Sequence, residues 1–160
     1  MKTDLLLDAI IIGVGATAVM DIWAFFLKRA MNIASLNFCM VGRWLCHMPE
    51  GRFTHTAIGK AEARDAECLV GWAAHYLIGV LFAFVWLLCI NGIIQMSLFS
   101  ALLFGAVTVL IPYFIMQPAL GMGFMASNAP TPWRARGKSL ITHLVFGLGM
   151  YLSALIIRGV

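Results

Sequence analysis

The chain has 160 residues, of which 62% are hydrophobic and only 11% are charged, and its formal net charge at pH 7 is +4. Soluble domains are about 45–50% apolar and about 25% charged, so this composition excludes a water-soluble globular protein. The basic residues lie between long apolar runs, which excludes nucleic acid as a partner and predicts contact with anionic membrane lipids instead.

Four apolar runs follow one another along the chain, each close to the roughly 20 residues with which an α-helix crosses about 30 Å of hydrocarbon. They cover residues 5–27, 69–90, 96–116 and 140–157. A helix satisfies its backbone polar groups internally, which lipid requires. The sequence therefore predicts an all-α fold, an integral membrane four-helix bundle that forms a single transmembrane domain over residues 1–160.

The 28–68 loop between the first two runs contains a short amphipathic pattern. Its apolar residues recur at the helical spacing i, i+3, i+4 and i+7 and are Val41, Trp44, Leu45 and Met48. Its polar residues fall on the opposite face and are Arg43, His47 and Glu50. The pattern predicts a short interfacial amphipathic helix between spans 1 and 2, with Trp44 at head-group level. The second long loop, 117–139, is rich in proline and glycine, which argues against a long regular helix there.

The distribution of lysine and arginine predicts the orientation of the spans. The 28–68 and 117–139 loops carry nine of these residues, namely Lys28, Arg29, Arg43, Arg52, Lys60, Arg64, Arg134, Arg136 and Lys138. The other side carries Lys2 and Arg158. The positive-inside rule therefore predicts a multi-pass bacterial inner-membrane protein with both loops cytoplasmic and both termini periplasmic. Because the cytoplasm is reducing, we expect free thiols at the cysteines, which are Cys39, Cys46, Cys68 and Cys89.

Each predicted span places a polar or ionisable side chain near the boundary with these two loops. At 1.5 Å per residue, Asp21 and His75 lie about 9 Å from that boundary and His143 about 6 Å from it. Ionisable groups at membrane depth are costly and usually face a cavity or a partner. Together with residues at the ends of the second and third helices, they form the predicted ligand-binding site, which comprises Asp21, Glu67, His75, Tyr113, Gln117 and His143.

Several functions fit such a site. His75 and His143, at matched depth, are the pair of ligands that a b-type haem between helices requires, and with a carboxylate they also suit a metal ion. The favoured hypothesis is binding of a metal, haem or another small ligand. A transport or proton-relay pathway built by a homo-oligomer is an alternative, as is a non-catalytic membrane subunit or assembly factor that binds a membrane partner protein. Purely structural hydrogen bonding by the histidines stands beside these, and the sequence contains no complete catalytic motif that would decide whether the protein is an enzyme.

A further set of motifs extends along nearly the whole chain. They are Gly15-Ala16-Thr17, Met20-Asp21-Ile22-Trp23, Leu36-Asn37, Gly42-Arg43-Trp44, His47, Gly51-Arg52-Phe53, His55, Ile58, Glu67, Gly71-Trp72, His75-Tyr76, Gln117-Pro118, Gly121, Gly123, Ser139-Leu140, His143 and Gly147. In these residues the chain resembles an uncharacterised bacterial family of small four-helix inner-membrane proteins, one of the domain-of-unknown-function families. The resemblance implies the four-helix architecture and a role for the polar residues, but no activity. Its motifs also extend the predicted site into the first loop, to Arg43, His47 and His55.

Overall fold

The computed structural model describes residues 5–92 and 94–159, and within these ranges its regular secondary structure is entirely helical. Four of its helices are long and apolar enough to cross a membrane, and they are Leu5–Met31, Glu67–Asn91, Leu98–Ala119 and Pro132–Ile157. The prediction of an all-α membrane protein with four spanning helices is confirmed.

The helices follow the apolar runs but differ from them at their ends. In chain order they are α1 (Leu5–Met31), α2 (Phe38–His47), α3 (Glu67–Gly92), α4 (Leu98–Thr108), α5 (Gln117–Ala119) and α6 (Pro132–Arg158). The predicted short helix between the first two spans is present as α2, which Asn37 caps by accepting a hydrogen bond from the backbone N–H of Cys39. Shorter 3₁₀ turns occur at Met48–Glu50, Ile58–Lys60 and Phe124–Ala126.

Prolines mark two of these boundaries. A π-helical turn, Pro112–Met116, lies between α4 and α5, and Pro112 stands at its first position. Proline lacks an N–H and displaces the carbonyl one turn earlier, which favours such a wider turn. Pro132 is the first residue of α6, a position where the missing N–H leaves no hydrogen bond unmade. The helix therefore begins in a polar stretch that hydropathy does not detect, well before Leu140.

The chain divides into two compact units, and the single transmembrane domain that the sequence indicates stays a prediction. The bundle unit comprises Met1–Ser35, Tyr76–Thr108 and Leu140–Val160. The loop unit comprises Leu36–His75 and Val109–Ser139.

Within the bundle unit, small residues allow the helices to approach at backbone distance. A Cβ atom on Gly105 would lie 2.5 Å from the carbonyl oxygen of His143 and 2.9 Å from Cα of Gly147. The core beside this contact contains the fully buried side chains of Trp86 and Met150. Close approach through glycine is a usual source of helix association in lipid, where no hydrophobic driving force acts between helices.

Within the loop unit, α2 packs against the start of α3 through two glycines. A Cβ atom on Gly42 would overlap the carbonyl of Glu67, and one on Gly71 would overlap the carbonyl of Phe38. One turn before each glycine stands a cysteine, and these two form the disulfide Cys39–Cys68, with their Cα atoms 3.9 Å apart.

The prediction of free thiols is therefore wrong for Cys39 and Cys68, whereas Cys46 and Cys89 are free. The expectation rested on the compartment assigned from basic residues. The sequence does not reveal the glycine contact, which brings together the starts of two helices that are distant along the chain.

Candidate functional site

An ion pair fastens the middle of α2 to the first residue of α3. Nε and one terminal nitrogen of Arg43 each donate to Glu67, at 2.8 Å, and the other terminal nitrogen donates to the carbonyl of Ala61 at 3.0 Å. The two side chains are only 12% and 13% exposed. The hydrogen bonds to Glu67 raise the pKa of Arg43 above its ordinary value. This bidentate geometry holds α2, the intervening loop and α3 in one arrangement.

A second polar cluster surrounds His47, whose side chain is 0% exposed. Its Nε2 lies 3.0 Å from the carbonyl oxygen of Glu62, and its Nδ1 lies 3.5 Å from a guanidinium nitrogen of Arg64. A carbonyl only accepts, so Nε2 carries the proton and Nδ1 faces the Arg64 donor. Arg64 also donates to Glu50 at 2.5 Å. The sequence placed His47 on the polar face of a short helix, and in the structure its ring is buried there, because the folded 50–66 segment covers it.

His55 adjoins this cluster. Its ring centroid lies 5.2 Å from that of His47 in an edge-to-face arrangement. Its backbone N–H donates to the carbonyl of Ala119 at 2.8 Å. Burial, with smaller contributions from the adjacent His47 and Arg52, lowers the pKa of His55 below its ordinary value, so its ring is neutral at pH 7.

The segment around His55 runs alongside the end of the third span. The N–H of Ile58 donates to the carbonyl of Leu120 at 3.1 Å. Gly121 has φ +87°, and a Cβ atom there would lie 2.8 Å from the carbonyl oxygen of His55. The backbone of this segment is therefore held directly against the residues that follow Gln117.

Three buried polar atoms of the loop unit have no hydrogen-bond partner among the described residues. They are Nε2 of His55, Nε of Arg64 and Oε1 of Gln117. The side chain of Gln117 belongs to a residue that is only 4% exposed. Buried polar groups are paired in most folded proteins, so each such atom calls for an explanation, and a water molecule or a ligand is the usual one.

Two further predicted residues of the loop unit make contacts of a structural kind. The hydroxyl of Tyr113 donates to the carbonyl of Arg136 at 2.6 Å, and Nε of Arg136 donates to the carbonyl of Met125 at 2.8 Å. The ring of His75 stacks on that of Phe38, with centroids 3.9 Å apart. The contacts of Tyr113 with Arg136 and of His75 with Phe38 join segments of the loop unit that are distant in sequence.

The bundle unit holds the remaining predicted residues in two side-chain pairs. The hydroxyl of Tyr76 donates to Asp21 at 2.9 Å. The hydroxyl of Thr108 donates to the carbonyl of Gly105 at 2.6 Å and lies 2.8 Å from Nδ1 of His143. A hydroxyl has one hydrogen, so Nδ1 of His143 is the donor in that second contact. Hydrogen-bonded pairs of this kind stabilise the association of helices in lipid, typically by about 0.6–2 kcal/mol each.

A family model described as "Protein of unknown function (DUF2938)" matches residues 10–157 of the chain. The chain belongs to this family. The match confirms the resemblance to an uncharacterised family and covers every predicted site residue. Nothing among the curated proteins and nothing among the solved structures matches the chain.

In this DUF2938 protein the predicted residues fall into two sets. The loop unit contains Glu67, His75, Tyr113 and Gln117, together with the predicted extension Arg43, His47 and His55. The bundle unit contains Asp21 and His143. No group of three or more His, Cys, Asp or Glu side chains within the described ranges has an arrangement that could hold a metal ion.

Sequence reasoning missed several partners in this DUF2938 protein. Glu50 was noted only as part of a polar helix face, and Arg64 only as a basic loop residue, yet both flank His47. Tyr76 was noted only within the His75-Tyr76 motif and Thr108 not at all, yet their hydroxyls pair with Asp21 and His143.

Proposed function

We propose that this multi-pass membrane protein of unassigned activity binds a small, uncharged polar ligand in the loop unit, beside His55 and Gln117. The observation that carries the proposal is the set of three unpartnered buried atoms, from His55, Arg64 and Gln117. Leaving one such group unpaired costs about 1–3 kcal/mol. A ligand that pairs with all three recovers this cost as binding free energy.

The chemistry of these atoms specifies the ligand. Oε1 of Gln117 accepts only, Nε of Arg64 donates only, and Nε2 of neutral His55 does either. The ligand therefore presents both donor and acceptor atoms, as hydroxyl or amide groups do. The nearby guanidinium groups are already paired with carboxylates, namely Arg43 with Glu67, and Arg52 and Arg64 with Glu50. These existing pairs disfavour an anionic ligand, which would have to displace a carboxylate.

The neighbouring contacts favour a preorganised site. His47 touches both Arg64 and His55, and its own ring is fully buried. The backbone hydrogen bonds from His55 to Ala119 and from Ile58 to Leu120 hold the two segments in register. Groups held by packing and by second contacts lose little entropy on binding, which favours affinity.

The test is native mass spectrometry of the protein released from mild detergent, with an absorption spectrum of the same sample before and after dithionite. We expect the wild type to carry the additional mass of a bound ligand and the Gln117→Met variant to lack it. The Gln95→Met variant is the control, since it makes the same change at an exposed residue of another loop. A wild-type protein whose mass equals that of the polypeptide alone would contradict the proposal.

Stability gives a second readout of the same pair of variants. If Oε1 of Gln117 is unpaired in the ligand-free protein, replacing Gln117 with Met, an apolar side chain of similar length, stabilises that form by about 1–3 kcal/mol. A lower melting temperature for Gln117→Met than for Gln95→Met would assign a structural role to Gln117. A Soret band in the spectrum would instead support the haem hypothesis, which stays a prediction.

A further inference from the structure

The disulfide Cys39–Cys68 joins two helix starts that the fold itself brings together. The helices touch at Gly42 and Gly71, and each cysteine stands one turn before its glycine. The ion pair between Arg43 and Glu67 joins the same two helices. The two sulfur atoms therefore meet in the native arrangement of α2 and α3.

The bond requires an oxidant. Two cysteine thiols reduce a disulfide-containing oxidant by thiol–disulfide exchange, so that the bond between Cys39 and Cys68 forms and the oxidant is released as two thiols carrying the two electrons and two protons. Disulfides persist in oxidising compartments and are reduced by the thiol pool of the cytoplasm. Cys68 is exposed, so nothing in its burial protects the bond from such reduction.

We infer that the 28–68 loop faces the oxidising side of the membrane, with both chain termini on the reducing side. This orientation is the reverse of the one that the lysine and arginine count predicts. The inference does not rest on the proposed ligand site, since it uses only the disulfide and the number of spans. An even number of spans places both termini on the side opposite this loop.

The basic residues of the 28–68 loop oppose this inference. Three of them, Arg43, Arg52 and Arg64, are paired with carboxylates of the same unit, but the positive-inside rule counts lysine and arginine and gives carboxylates little weight. The positive-inside rule is a statistical bias in insertion, whereas a disulfide depends on a chemical oxidant that only one side supplies. The two signals therefore disagree, and the chemical requirement carries the inference.

The first measurement is the redox state of the cysteines in intact cells. The Cys46→Ala/Cys89→Ala variant retains only the paired cysteines, and acid quenching followed by a polyethylene glycol maleimide in denaturant labels every free thiol. We expect no adduct without prior reduction and two adducts after it, seen as a gel shift. Two adducts without reduction would overturn the inference, because they would show free thiols in the cell.

The second measurement is the side of the carboxyl terminus. Green fluorescent protein fused after Val160 is expected to fluoresce, and alkaline phosphatase fused there to be inactive, since the two reporters require opposite sides of the membrane. The same reporters fused after Gly51, which lies in an open turn, are the matched controls and should give the opposite pattern. An active phosphatase after Val160 would overturn the inference even if the disulfide were present.

Discussion

At the scale of single residues, the fate of each polar side chain depends on what its neighbours offer. All three guanidinium nitrogens of Arg43 donate hydrogen bonds, to the carboxylate of Glu67 and to the carbonyl of Ala61. Gln117 is as thoroughly buried, yet its side-chain oxygen meets no donor among the described residues. Gln117 was predicted as a site residue from its polarity at membrane depth, and Arg43 only as the loop extension that the family resemblance implies. The structure separates a fastening role for one from a binding role proposed for the other.

We predict that Arg43→Met destabilises the protein by about 3 kcal/mol, because it leaves Glu67 largely buried without its partner. The double variant Arg43→Met/Glu67→Leu should recover much of that loss, since no uncompensated charge remains. Thermal unfolding in detergent, compared across the wild type and the two variants, measures both effects.

Arg52→Met is the control, because Arg52 is 61% exposed and should contribute less than about 1 kcal/mol through its contact with Glu50. Equal losses for Arg43→Met and Arg52→Met would contradict the importance assigned to the buried pair.

The histidine of the proposed site makes stability depend on pH. The folded protein holds the pKa of His55 below its ordinary value of 6.5, so the unfolded chain takes up a proton first as the pH falls. The contribution to stability is therefore constant above pH 7 and decreases below about pH 6.5 until the folded protein is protonated as well.

The check compares the melting temperatures of the wild type and of His55→Gln between pH 8 and pH 5. The variant lacks the titrating group, so the wild type should lose more stability than the variant on acidification. Parallel curves for the two proteins would show that His55 is not held in its neutral form.

At the scale of elements, helix contacts depend on where glycines stand rather than on how apolar the helices are. Gly147 of α6 faces α4 so closely that a Cβ atom would lie 2.5 Å from the carbonyl oxygen of Ala101. Gly137 of the same helix has nothing within 4 Å of that position. Both glycines lie within one helix, and their contacts with other segments distinguish them.

Alanine at these two glycines should therefore change stability in opposite directions. We expect Gly147→Ala to lower it by about 1–3 kcal/mol through overpacking, and Gly137→Ala to raise it by up to about 1 kcal/mol through helix propensity. Melting temperatures in one detergent compare them directly. A stabilising effect of Gly147→Ala would mean that α4 and α6 do not touch at this point.

At the scale of the whole molecule, four spans and their loops follow from hydropathy, but the division into two units does not. The 50–66 segment is polar and contains no long helix. In the structure it covers His47 and pairs with the residues after Gln117. This polar segment is therefore part of the loop unit, which contains the proposed site.

The sequence by itself determined the membrane environment, the four spans and the short helix α2, because the requirements of lipid are expressed in local composition and helical spacing. It also identified Arg43, His47, His55 and Gln117 as residues of interest, through a family resemblance and through polarity. Only the tertiary structure decided that Cys39 is bonded to Cys68, that His47 is buried, and that Asp21 and His143 belong to pairs within the bundle unit. Each of these depends on contacts between segments distant along the chain, where backbone approach through glycine sets which side chains meet, and no local pattern encodes that approach.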